Sequence, residues 1–511
     1  MSRKQDVIVL DERPLRHGEV DRVAGEGARL ELGPNARARL ANGRAVVDRI
    51  IAQGQRAYGI NTGLGALSDV VLQPGDLAKL ARNTLLSHAC GMGEPLARSQ
   101  VRAVMTALAN DLCHGHSGVS PAVVEQLIAC LNAGVTPVVP SQGSVGYIVH
   151  GAHVGLTLIG VGEAEFGGMR MPAATALEKA GLKPITLAAK DGLCLVNGTR
   201  DLTGLACLAL AEAERVVDWA DAVAAMSFEA LKGQTDCIDA DLLALKPYPG
   251  LLQTGANLRR MLEGSAILAA AKGVRTQDAL SIRSIPQIHG ASRDQITHVR
   301  EQVNTELRSS SDNPLVLGTP DSYRVISNAH PHGQSLAIAM DLLAIAVAEL
   351  GAAAERRLDR LVNPLVNGLP PFLVEKSGVN SGMMIAQYAA ASLASENRIL
   401  AQPAVLDSVV TSGLQEDDVN LGVPAALKCA KVIENVIRIL AIELVLAAQA
   451  LEFHGEKGRG RGTDHLHRRI RRRVARYAED RYLAPDLAQA EAFLKDRSEA
   501  EGLHAAVGPF S

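Results

Sequence analysis

The sequence predicts a mainly α-helical protein with a small mixed N-terminal part and a central bundle of long helices. Its 511 residues are 47% hydrophobic but only 3% aromatic, so the apolar volume comes from Ala, Leu and Val, which suit close packing of helices. Residues 198–232, 335–360, 382–400 and 425–452 keep apolar positions at helical spacing for longer than a typical globular helix. Before residue 198, glycine and proline divide the chain into shorter helical stretches joined by polar loops.

Taken in order, residues 5 to 60 read as short strands and loops around one helix, including residues 19–24 and the stretch 41–53, whose apolar positions keep helical spacing. From Pro74 onward, helices are expected over 75–88, 99–112, 121–133 and 151–160, and then the four long ones. Residues 337–354 contain Asp341 and Glu349, and residues 436–452 contain Arg438 and Glu443. Charges at those depths argue for burial against protein rather than lipid, and such apolar faces imply oligomerisation. The expected organisation is an N-terminal part over 1–197 that carries active-site loops, a long-helix bundle over 198–455 and a C-terminal helical tail over 456–511. No internal repeat stands out. The basic run Arg468-Arg-Ile-Arg-Arg-Arg473, close to Asp464, Glu479 and Asp480, reads as a solvated helix face.

Lys plus Arg (52) nearly balances Asp plus Glu (55), for a net charge of −3. That balance gives no reason to expect nucleic acid as a partner and favours a small-molecule function. Seven scattered cysteines without Cys-x-x-Cys spacing read as reduced thiols. Charge interrupts the first ten residues too early for a secretory apolar region, so a cytoplasmic location without a membrane span is expected.

Several polar residues sit where loops meet helices. Tyr58 opens Tyr58-Gly-Ile-Asn-Thr-Gly63, a turn-forming segment that can present a phenol as acid or base. An ordinary phenol, titrating near about 10, is protonated at neutral pH, so a base role needs neighbouring positive charge or hydrogen bonds. His88, in Leu86-Ser-His-Ala-Cys-Gly91, is either a substrate contact or a helix-end cap. Asn197, in Leu195-Val-Asn-Gly-Thr199, is either a site residue or half of an Asn-Gly turn. Arg283, at the end of Gln277-Asp-Ala-Leu-Ser-Ile-Arg283, has the planar fork that grips a carboxylate. Ser311-Asp-Asn-Pro314 and Gln415-Glu-Asp417 add further polar groups; Glu416 either accepts a hydrogen bond from a ring N–H or forms a buried ion pair.

Together with Gly143-Ser-Val-Gly146, these segments resemble the histidine/phenylalanine/tyrosine ammonia-lyase family, and the resemblance runs over nearly the whole chain, closest in pattern to histidine ammonia-lyase. It implies the fumarase/aspartase-like helical fold and a homotetramer whose active sites are shared between subunits. It also implies a small-molecule substrate. Carried over residue by residue, it makes Tyr58 the catalytic base and Asn197 the support of the substrate amine. Arg283 becomes the carboxylate anchor, His88, Gln415 and Glu416 lie near the substrate ring, and Gln277 and Asn313 are polar site positions.

At its reaction centre the chain departs from that pattern. The family follows Gly-Ser-Val-Gly with Ala-Ser-Gly, which cyclises into an electrophilic methylidene-imidazolone group. Here Gly146 is followed directly by Tyr147-Ile-Val-His150, leaving eleven residues from Gly143 to His153 where the family has fourteen. A family tyrosine is replaced by Leu280, and a Gly-Gly-Asn-Phe-His segment by Asn328-Ala-His-Pro-His332, which introduces His330. Tyr147, His150, Leu280 and His330 are therefore expected to form an altered pocket, with the prosthetic group absent.

The leading expectation is prosthetic-group-free elimination, addition or isomerisation on a small amino-acid-like carboxylate, with an imidazole or another polar ring favoured by His88 and Glu416. Two alternatives stay open: a true histidine ammonia-lyase whose matured group is not written in the sequence, and a non-catalytic amino-acid-binding relative. Several histidines offer imidazole nitrogens, but their spacing matches no metal motif, and no metal is expected.

Overall fold

In the computed structural model, which describes residues 6–67, 69–455 and 458–510, the chain forms two compact units. The first comprises residues 1–211, 299–341 and 403–427, and the second residues 212–298, 342–402 and 428–511. These discontinuous units differ from the three consecutive segments expected from sequence. Long helices bury their faces against partners distant in sequence, so compactness does not follow chain order. Residues 456 and 457, at the expected start of the tail, lie outside the described residues.

Most of the expected helices form close to their expected limits, but the one expected over 41–53 already starts at Pro34. They span Pro34–Ala52, Leu77–His88, Arg98–Leu112, Pro121–Ala133 and Val149–Leu158, then Arg200–Ala230, Gln334–Val362, Met384–Leu400 and Gly422–Glu452. Local chemistry sets several ends. Pro34 and Pro121 occupy first-turn positions where the missing N–H costs nothing, and the Asp11 carboxylate accepts from the amides of Asn35 and Ala36.

The first unit holds every strand among the described residues. Val7–Leu10 pairs in parallel with Arg29–Leu32, Leu315–Thr319 forms an antiparallel hairpin with Ser322–Ile326, and two small antiparallel sheets involve residues 92–95, 136–142 and 163–172. Helices Leu77–His88, Val149–Leu158 and Asp191–Val196 pack on one another here. At Gly192 a side chain would strike the Ala81 backbone, so only glycine permits this approach. That crossing brings the ends bearing His88 and Asn197 to one cleft.

The described residues of the second unit are helical or loop. The helix Ile285–Glu306 was not anticipated, because its apolar residues are sparse. Ile285 and Ile296 are nonetheless buried, and the buried His289, Ser292 and Arg293 lie on the same face of the helix, between them. These polar groups join a desolvated network. Arg357 donates to Glu443 from Nε (2.6 Å) and Nη2 (3.0 Å), and its Nη1 lies 3.3 Å from His289 Nε2. His289 Nδ1 is 2.9 Å from Asp221 Oδ1, while Arg293 Nη2 donates to Asp221 Oδ2 at 2.7 Å. Burial lowers the His289 pKa, and its partners assign a neutral ring with the proton on Nδ1.

Arg468 and Arg472 of the basic run are exposed, as a solvated face requires, while its other arginines are partly withdrawn from solvent into ion pairs. Arg469 and Arg473 grip Glu499, Arg473 also reaches Asp496, and the largely buried Arg471 donates to Glu452 at 2.9 Å. Helix Arg497–Val507 and its N-cap supply Glu499 and Asp496, and helix Gly422–Glu452 supplies Glu452, carboxylates that the sequence alone could not pair with these arginines. Residues 191–230 and 334–362 are long and apolar enough to cross a bilayer, but their most apolar windows are 89% and 67% buried inside the protein, as for core helices.

Candidate active site

A cleft of about 1540 Å³ opens in the first unit. Its walls come from the loop after Tyr58, the end of helix Leu77–His88, residues 143–149, Asn197, Asn313, residues 327–332 and the loop 411–418. Of the twelve residues singled out from sequence, Tyr58, His88, Tyr147, Asn197, Asn313, Gln415 and Glu416 line it. Gln277, Leu280 and Arg283 belong to the second unit and are not among its lining residues. Leu280 is 63% exposed, and Arg283 Nε is buried with no hydrogen-bond partner among the described residues.

Two of the expected pocket changes are corrected. His150 is fully buried, with Nδ1 3.7 Å from Asp201 Oδ2, because it falls on the inward face of the first turn of its helix. His330 is exposed and turns away to the Ser310 carbonyl, 3.0 Å from Nδ1. The neighbouring His332, which sequence reasoning did not select, lines the cleft instead with Nε2 3.4 Å from Asp418 Oδ1.

Tyr58 is half-buried, and its hydroxyl oxygen accepts from the Gly65 amide at 3.3 Å. The turn at Gly65–Leu67 packs against Ser412–Leu414, where Ser412 and Leu414 both have positive φ. Gln415 and Glu416 follow directly on that strained backbone, so the loop holding the acid is set by the loop holding the phenol. Elsewhere in the lining, burial lowers the His88 pKa, and Ser87 Oγ lies 2.9 Å from its Nδ1.

Residues 143–149 occupy the stretch where the family's tripeptide would stand. Ser144 Oγ donates to Asp201 (2.8 Å), and the Ile148 amide donates to the Val196 carbonyl (2.9 Å). Ile148 has φ 80°, a costly backbone for a β-branched residue, and the Val149 amide closes a tight turn onto the Tyr147 carbonyl. The Asn420 side chain fills the position that a Cβ on Gly146 would need. The segment is thus short, tied down and closed over, and the residues that would build a methylidene-imidazolone are not in it.

Tyr147 is 7% exposed, and its hydroxyl points at Glu416 Oε2, 3.4 Å away. Burial and the neighbouring Glu416 carboxylate push the phenol up, so it stays a neutral donor. A difference titration of the wild-type protein against Tyr147→Phe is expected to show no phenolate from this residue up to about pH 10, where a free tyrosine is half ionised. A phenolate signal assigned to Tyr147 below that pH would contradict the assigned burial.

Behind Asn197 lies a layer that sequence reasoning missed. Lys190 donates to Asp312 Oδ2 at 2.8 Å, and the Arg200–Asp111 pair closes at 2.5 Å. Asp312 stands beside Asn313 in a segment that was read, but nothing in one chain pairs it with a lysine 122 residues away. Among the described residues, no group of three His, Cys, Asp or Glu side chains is placed to hold a metal ion.

The helical fold, matched to known lyases, makes this protein a C–N lyase. The chain belongs to the aromatic amino acid lyase family, whose profile matches residues 15–472. It is 46% identical over 494 residues to a histidine ammonia-lyase of Symbiobacterium thermophilum, covering 96% of this chain and 97% of that one. Tyrosine aminomutase from Streptomyces globisporus superposes with a TM-score of 0.93 at 34% identity, over 98% of each chain. The ergothioneine-degrading enzyme ergothionase from Treponema denticola superposes with a TM-score of 0.90 at 29% identity, over 97% of this chain and 99% of that one.

Proposed function

We propose that this protein catalyses elimination, addition or isomerisation on a small amino-acid-like carboxylate without a methylidene-imidazolone group. One observation carries the reading: Gly146 runs directly into Tyr147 in a segment whose backbone is closed by hydrogen bonds and whose phenol projects into the cleft. Tyr58 serves as acid or base at the carbon that loses or gains a proton. Asn197 holds the substrate amine, and His88 and Glu416 receive an imidazole or another polar ring, supported by their position on the cleft walls. Enzymes commonly lower barriers by about 8–23 kcal/mol. With no electrophile to share that task, the leaving group must depart unaided or the transferred proton must be unusually acidic.

The same reading makes the protein a cytoplasmic homotetramer. Ile385, Tyr388 and Ile399 expose one face of helix Met384–Leu400, and Leu406, Val409 and Val410 are exposed further along the chain. Uncovered apolar side chains grouped in this way favour a subunit interface. In the tetramer a neighbouring subunit supplies Arg283 to grip the carboxylate, which accords with its absence from the cleft lining of its own chain.

The deciding measurement is the intact mass of the purified protein, with its near-ultraviolet absorbance and an assay for ammonia release from L-histidine. The expected result is the 53.8 kDa mass of the written chain, no prosthetic chromophore and no ammonia. A mass increased by a dehydrated Ala-Ser-Gly, together with the chromophore, would restore ordinary histidine ammonia-lyase chemistry.

A further inference from the structure

We infer that the buried Lys190–Asp312 ion pair is a positioning device that sets the Asn197 carboxamide in the cleft. The inference rests on the assignment of Asn197 to the substrate amine.

Lys190 and Asp312 are buried, at 3% and 0% exposure. Lys190 Nζ is 2.8 Å from Asp312 Oδ2 and also donates to the Ser117 carbonyl at 2.6 Å. Lys190 adopts φ 70°, a left-handed backbone that a lysine takes only when its surroundings impose it, and it caps the short helix that ends just before Asn197. With one carboxylate oxygen held by lysine, the other is turned to Asn197 and Asn313. Asp312 Oδ1 accepts from the Asn313 amide at 2.7 Å and from Asn197 Nδ2 at 3.4 Å. Asn197 Nδ2 also donates to the Asn313 carbonyl at 2.8 Å.

The Asn197 amide nitrogen is therefore committed to the wall, and its Oδ1 is the atom left to meet a donor from the cleft. Arg200 donates to the Asn197 main-chain carbonyl at 2.6 Å and fixes the backbone independently. Without Asp312 the Asn197 Nδ2 keeps only the Asn313 carbonyl, and the Asn313 amide that Asp312 Oδ1 holds at 2.7 Å is released with it, so the wall that orients the carboxamide loosens and Nδ2, a donor, can turn toward a cationic amine. The ion pair thus selects which end of an ambivalent side chain the substrate meets. A fully buried pair of charges adds little net stability over apolar residues of similar volume, so orientation is the better account of its presence.

The test uses the full-length assembly and two probes that differ only at the amine, L-histidine and 3-(imidazol-4-yl)propanoate, with affinities read by calorimetry. The variant Lys190→Met/Asp312→Leu removes both charges together and leaves neither one unpaired. The wild-type protein is expected to prefer L-histidine, and Asn197→Ala to abolish that preference. The double variant is expected to cut the preference by roughly tenfold or more while its affinity for the propanoate stays within about threefold of wild type, since only the contact to the amine is lost. Added to Asn197→Ala, the double change should alter the preference no further.

An unchanged preference in the double variant, beside a lost one in Asn197→Ala, would overturn the positioning role. Equal weakening of both probes would also overturn it, in favour of a merely structural role. A wild-type preference that survives Asn197→Ala would instead overturn the assignment of Asn197. Wild-type protein that binds neither probe, or shows no preference, would overturn that assignment and this inference together.

Discussion

Tyr58→Phe is expected to abolish turnover while leaving the fold and the subunit assembly unchanged. The phenol is half-buried in a loop held by a backbone amide at its oxygen, so losing the hydroxyl removes one weak hydrogen bond and no packing. Its contribution to stability is therefore small, about 1 kcal/mol. Its contribution to catalysis is the whole proton transfer, worth roughly 10²- to 10⁴-fold for a positioned acid or base. The measurement is loss of starting material by mass spectrometry across a panel of imidazole- and phenyl-bearing α-amino acids and their N-alkylated forms, with oligomer size checked by light scattering. If the variant kept activity within about threefold of wild type, a general-base contribution of that size would be excluded and Tyr58 would lose its role.

Breaking the network of the second unit should give the largest loss of stability. Arg357 and Glu443 are both at 0% exposure and bind through two hydrogen bonds, so Arg357→Met leaves a carboxylate buried without its partner. Such losses cost about 3–5 kcal/mol, whereas replacing both charges together is often near neutral. Denaturant unfolding should show the single variant well below wild type and Arg357→Met/Glu443→Leu closer to it. Equal stability of wild type and the single variant would show that this pair is not desolvated.

The same network predicts a pH dependence. Burial alone would raise the Asp221 carboxyl, but Arg293 and His289 outweigh it and hold the group at about 2, against 3.8 for a free carboxyl. A depressed carboxyl stabilises the native state fully above about pH 4, and that contribution, on the order of 2 kcal/mol, is lost as pH falls toward and through 2. Wild type should therefore lose more stability than Asp221→Asn between about pH 5 and pH 2. Parallel loss in the two proteins would contradict this.

The relatives share the fold with chemistries as different as those of a histidine ammonia-lyase, a tyrosine aminomutase and an ergothioneine-degrading enzyme. Helical architecture alone therefore leaves the reaction open, and the residues lining the cleft must decide it.

Helix periodicity, capping residues and turn-forming loops are local signals, so the helical class and the limits of several long helices were legible in the linear sequence, whereas the seven cleft-lining residues were legible through the resemblance of their motifs to the ammonia-lyase family. The absence of Ala-Ser-Gly after Gly146 was likewise visible in the linear order. Tertiary structure alone decided that His150 faces Asp201 while Tyr147, three residues earlier, faces the cleft, since the turn at Ile148 sets the rotation of the helix that follows. It also decided that His332 rather than His330 lines the site, and that Arg469 and Arg473 meet Glu499. The partners of Asn197 and Arg357 come from segments tens to hundreds of residues away. A buried charge is paid for only by a partner that folding brings to it, and no local pattern in one chain encodes which partner that is.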